Sequence, residues 1–239
     1  MVVAAAAAVL CAVIGLAVGL NPSRSATAAQ NVTASAPTTA PATAGGPAGG
    51  PRSGGGTSNV RSAPAAGGAA GTVSDVSTSS FTLTTPAGKA MTVNEASTTI
   101  YQDGTSSTST GTVTAGDTVL VLGTTGGTTI TATRVIVHPT GDYSAAASTA
   151  AGVVPFQQGA PSAAKQDGQV PANYTEGSGT VVSGTTADQA TEAALAAYPG
   201  GIVDRVVQLS DGTYEVHNIG VNWPHHVFVN QDFKVVGAN

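Results

Sequence analysis

Residues 21–70 set the first limit on what this chain can fold into. Of these 50 residues, 41 are Ala, Gly, Pro, Ser or Thr, and none is aromatic. Such a stretch buries too little apolar surface to offset the entropy of ordering it. It reads as a disordered stalk with a root-mean-square span of roughly 35–45 Å if it behaves as a flexible coil. What remains of the 239 residues can support two small cores. It cannot support a large catalytic fold such as the (β/α)₈ barrel, which takes ~250 residues.

Ahead of the stalk, residues 2–20 are 19 consecutive apolar or glycine residues without a charge, stopped by Asn21-Pro22. The run is close to the ~20 residues of a spanning helix. Ala26-Thr27-Ala28 also offers a small-residue cleavage site of the secretory type. Residues 1–20 therefore read as a membrane anchor or a cleaved signal peptide. On either reading the rest is extracytoplasmic, as a membrane-anchored cell-surface protein or a secreted one. Cys11 is the lone cysteine and lies inside the apolar run, where Leu10 argues against lipoprotein cleavage. The exported part has no disulfide and no thiol nucleophile.

The charge is −5, from 8 basic and 13 acidic residues. Arg24, Arg52 and Arg61 precede the first acid, Asp75, and the remainder is mildly acidic. No basic patch is available for a phosphate track, so nucleic acid is not an expected partner. Membrane contact is expected only through the N-terminal apolar segment.

From residue 71 the pattern becomes short strands punctuated by turns. Phe81 and Leu83 alternate with Thr82 and Thr84, and Met91 and Val93 alternate again. Thr85-Pro86-Ala87-Gly88 is a type I turn signature. Two apolar strands over 119–122 and 130–137 flank Gly126-Gly127, a hairpin signal. Residues 71–137 are thus expected to form a small antiparallel β-barrel. The run Gly71-Thr72-Val73, Phe81 to Thr85, Val113-x-x-Gly116-Asp117-x-Val119 and Ile130-Thr131-Ala132 resembles a family of exported bacterial β-domains of unknown function. A second linker is expected over 138–178, with Phe156 and Tyr174 as points that could dock on a neighbouring domain.

The last stretch, 179–239, reads as an α+β unit. An Ala-rich helix is expected from Thr185 or Thr186 as N-cap to Tyr198, ended by Pro199-Gly200-Gly201. Strands follow over 202–209 and 213–221, joined at Ser210-Asp211-Gly212, with a third around Val227 and Val229 and a fourth over 233–236. Tyr198-Pro199-Gly200, Val203, Asp211-Gly212-x-Tyr214-Glu215-Val216, Val227-x-Val229 and Asp232-Phe233-Lys234-Val235 resemble a PepSY domain over about 179–237. That resemblance implies a helix on an antiparallel sheet in an exported protein, and contact with or regulation of an envelope peptidase. The fold class expected is mainly β with α+β.

Catalytic constellations are scarce. There is no G-x-S-x-G, no phosphate-binding loop and no H-E-x-x-H. Glu192, Glu215 and Asp211 read as solvated carboxylates. His217, His225 and His226, with Asp232, suggest a metal site. Yet neighbours on a strand point to opposite faces, which sets His225 against His226, so no metal or other cofactor is expected. Alternation turns Glu215 and His217 away from Tyr214 and Val216. Trp223, the only tryptophan, lies on a loop with two histidines. Trp223, His225, Glu215 and His217 are therefore expected as a partner-contact patch for an envelope protein or peptide. The expected function is an exported, surface-tethered, non-enzymatic binding module. The alternative is a structural envelope protein with no specific ligand.

Overall fold

The computed structural model describes residues 64–109, 111–160 and 164–239. The expected anchor or signal over 1–20, and the expected stalk up to residue 63, lie outside the described residues. The last part of that stalk is strand. β1 (Ala65–Val76) starts inside it, and is followed by β2 (Ser80–Thr84), β3 (Ala90–Asp103), β4 (Ser106–Thr108), β5 (Thr118–Gly126) and β6 (Thr129–Val137).

The fold is mainly β. β1 pairs with β2 and with β5, β2 with β3, and β5 with β6, all antiparallel; β3 and β6 run parallel and close a five-stranded barrel. The alternation read from the sequence fills its interior: Phe81, Leu83, Met91 and Val93 meet Val119, Val121, Ile130 and Val135 there. The turn after β2 is closed by the Gly88 N–H donating to the Thr85 carbonyl at 2.8 Å, with Gly88 at φ +82°. Asp117 accepts from the Thr114 N–H at 2.7 Å, which makes the Gly116-Asp117 corner a local turn.

Leu120 and Leu122 point the other way, out of the barrel. Their continuous apolar run with Val119 and Val121 is that of a strand buried on both faces. The second core they enter contains Ile136, Tyr143, Val153, Trp223 and the buried side of the long helix. Its elements, in chain order, are α1 (Ala145–Ala150), β7 (Val154–Pro155), β8 (Asp167–Gly168), β9 (Thr180–Val181), α2 (Gly184–Ala197), β10 (Ile202–Gln208), β11 (Tyr214–Ile219), β12 (Val221–Trp223), β13 (His226–Val229) and β14 (Val235–Ala238). Ala187, Ala190, Ala194 and Leu195 of α2 pack on Val206, Val216, Val227 and Val229 of the sheet beneath. The helix begins at Gly184 behind Ser183, two or three residues earlier than the expected threonine caps. The last strand starts at Val235, because Phe233 sits at φ +56° in a turn where Asn230 accepts from the Phe233 N–H at 3.0 Å.

No boundary falls at 137 or at 179. β10 adds to β1 through Gly68↔Val203 and Ala69↔Ile202, so the barrel's own strand continues into the sheet β10-β11-β13-β14-β8. The segment expected as a linker, 138–178, supplies buried Tyr143 and Val153, a short helix and two strand partners. All described residues fall in one compact unit. The separation into domains 71–137 and 179–239 fails because one core is built from both. Among the described residues no helix is long and apolar enough to cross a membrane.

Three predictions test this description. A Cβ on Gly67 would collide with the Val203 carbonyl oxygen. Gly67→Ala should lower stability by about 1–3 kcal/mol in denaturant titration, with barrel and sheet melting together. Limited proteolysis followed by mass spectrometry should leave a resistant core starting near residue 64, nicked first within 164–178, with no separate fragment ending near 137. Tyr143 and Tyr198 are buried, and burial pushes both hydroxyls up to about 12, helped by Glu192 beside Tyr143 and by Asp167, which accepts from Tyr198. The fold favours their neutral forms, so this stabilisation is complete below pH 10 and is lost between pH 10 and 12. Unfolding midpoints at pH 9 and 11.5 should differ accordingly.

Candidate functional site

Two faces of the C-terminal sheet carry different chemistry. The face under α2 is apolar. On the other, cross-strand registry builds a polar row. His217 pairs directly with His226 across β11 and β13, and with Arg205 across β10 and β11. Directly opposed residues share a face, so both imidazoles stand side by side. The next row on that face is Val207, Glu215 and Phe228.

His225 joins them from outside the strand. β13 begins at His226, and His225 occupies the turn before it, where the strict alternation of a strand does not apply. Its N–H donates to the Asn239 carbonyl at 2.7 Å and its carbonyl accepts from the Asn218 N–H at 2.7 Å. The ring then packs edge-on to His217, with centroids 4.4 Å apart, and to His226 at 4.8 Å. The expectation that His225 and His226 diverge is thereby corrected. One ligand atom from each of His217, His225 and His226 lies within 4.8 Å of the others.

Carboxylates fix two of the three rings. Asp204 is the extra residue of a β-bulge in β10, where the register jumps between Val203 and Arg205. Bulges re-aim side chains, and this one places Asp204 Oδ1 to accept from His217 Nδ1, while Oδ2 faces the Arg205 guanidinium at 3.5 Å. Glu215 Oε1 accepts from His226 Nδ1 at 2.6 Å, and the Tyr174 hydroxyl meets the same nitrogen at 3.0 Å. Nδ1 is engaged in both rings, which leaves Nε2 as the nitrogen each can offer to a ligand. His225 Nε2 lies 3.0 Å from that of His217. His225 is exposed by its surface, yet neighbouring protein partly desolvates its ring; that desolvation, and then its two imidazole neighbours, hold it down at about 4, with Glu176 and Asp204 pulling the other way.

This arrangement can ligate. Two nitrogens each 2.0–2.1 Å from a tetrahedral ion stand about 3.3 Å apart. The His217–His225 separation is already 3.0 Å, and the three ligand atoms all lie within 4.8 Å of one another. Imidazole nitrogens suit zinc, copper and nickel. Carboxylate partners on the far nitrogens orient ligating histidines and raise their basicity.

The expected contact patch is corrected. Glu215 and His217 do face away from Tyr214 and Val216, but that face is roofed by 164–178, leaving them 2% and 7% exposed. Tyr174 makes the roof, edge-on to the Phe228 ring at 4.9 Å. Trp223 is fully buried, because the loop expected there is strand β12, paired with β7. Its indole N–H donates to the Lys165 carbonyl at 2.7 Å and its ring meets Tyr198 edge-on at 5.3 Å. Asp232 stays in the turn before β14, its N–H donating to Asn230. Phe156 is half exposed, under the Lys89 ammonium. Sequence reasoning missed Asp204, which looks like any strand residue until the bulge is seen, and Tyr174 as a histidine partner.

No family model, no curated protein and no solved structure matches the chain.

Truncating a fully buried aromatic removes packing on all sides. Trp223→Ala should therefore cost about 3–5 kcal/mol in denaturant titration of the purified chain. A neutral effect on stability would return Trp223 to the surface.

Proposed function

We propose that this chain is an exported, non-enzymatic binding module whose ligand is a divalent transition-metal ion held by His217, His225 and His226. The observation that carries the reading is the clustering of three imidazoles, two of them oriented by carboxylates, the half-buried Asp204 and the buried Glu215. A surface-exposed histidine pair needs no such support. Here the carboxylates hold both rings by Nδ1, which leaves Nε2 of each as the nitrogen an ion would take. By the Irving–Williams order Cu(II) binds such a site most tightly, followed by Ni(II) or Zn(II) according to geometry. Export rests on the apolar run and the polar stalk, which put the site where envelope metal ions are met.

Titration of the purified chain with Cu(II) and Zn(II) should give one ion per chain. Saturating zinc should raise the thermal midpoint, since an ion at 100 times its dissociation constant adds about 2.7 kcal/mol. Asp204→Asn should weaken binding about 10–100-fold without touching a ligand. His225→Ala, at an exposed position, should weaken it at least as much while leaving the melting curve of the metal-free protein in place. A flat titration would favour the structural envelope protein instead.

A further inference from the structure

Resting on that metal-binding reading, we infer that Glu176 supplies the fourth ligand and that loading the ion draws the 164–178 segment down onto the sheet. A tetrahedral ion on three histidines has one position left to fill. His225 and His226 open onto a cavity whose other walls include Ala164, Lys165, Gln166, Glu176 and Asn222. In this wall Glu176 is the anionic oxygen donor. Lys165 sets its ammonium over the Trp223 ring at 3.7 Å, and Gln166 donates its side-chain N–H to the Gly168 carbonyl.

Two further observations place Glu176 beside the site. Two residues before it, the Tyr174 hydroxyl is already bonded to His226 Nδ1. Immediately around it, the turn from Thr175 to Ser178 is closed twice, by the Ser178 N–H and hydroxyl donating to the Thr175 carbonyl at 2.9 and 2.6 Å. Glu176 thus sits at the corner of a short tight turn tethered to one of the ligating rings. Its carboxylate stands outside the tight imidazole triad, so coordination requires the turn to move inward.

The segment is built to be moved. Between residues 164 and 180 no residue is fully buried, and its two strands, β8 and β9, are two residues each. Few apolar contacts and short ladders mark the low-stability end of a fold. A dication on three neutral imidazoles keeps its full charge, and an approaching carboxylate neutralises part of it. Glu176 is therefore both ligand and latch.

The test uses the full chain and Glu176→Gln, which keeps the shape and removes the charge. With Co(II) as spectroscopic probe and Zn(II) as ligand, wild type should bind one ion. Zinc should slow proteolytic cleavage within 164–178 about tenfold or more. Glu176→Gln should still bind one ion through the histidines, with affinity about tenfold or more weaker, an altered Co(II) visible spectrum and no zinc protection of the segment. Unchanged affinity, spectrum and protection in Glu176→Gln would overturn the fourth-ligand role and leave the metal site standing. No binding by wild type would overturn the metal site itself, and this inference with it.

Discussion

β1 is the strand on which the rest of the molecule depends. It runs along β5 for most of its length and uses its other edge twice, first for β10 and then for β2. That double use is possible only where the backbones come close. Gly67, Gly68 and Gly71 stand against the carbonyl oxygens of Val203, Val121 and Thr84, where any Cβ would collide. Ala69 faces the barrel interior and Ala70 the second core, so the strand is buried on both sides with the smallest side chains available. The barrel closes and the sheet extends because one strand is thin enough to belong to both.

That same thinness explains what was illegible in the sequence. Ala65 to Gly71 has the composition of a spacer, and composition alone cannot distinguish a glycine that is free from one pressed against a carbonyl. Where side chains are large the reading was direct. Phe81, Leu83, Met91 and Val93 alternate and point into the barrel, and the run from Val119 to Leu122 is buried on both faces. The Ala-rich helix before Pro199 was visible from its spacing, and its packing partners were not. Segment 138–178 was taken for a linker because its apolar residues are sparse. They act singly: Tyr143 and Val153 enter the core, and Tyr174 reaches the polar face.

The polar site was half legible. Alternation correctly separated Glu215 and His217 from Tyr214 and Val216, but the inference from "other face" to "solvent" assumed a bare sheet. The bulge at Asp204 and the turn position of His225 break the simple strand periodicity, and both are needed to bring the donors together. A regular β10 would send the Asp204 carboxylate to the α2 side. Irregularity in the ladder is what turns a row of polar residues into a directed set of lone pairs.

The sharing of β1 also governs the order in which the chain can reach its native state. The strand's first edge partner, β10, is synthesised about 130 residues after it, a separation that raises contact order and slows folding. Until then Leu120, Leu122 and Ile136 lie uncovered on the barrel's flank beside an unpaired strand edge. A chain stopped after the barrel would present both to its neighbours. The barrel's flank thus needs the last third of the protein to cover it, and the helix that does so comes with the residues that build the histidine site.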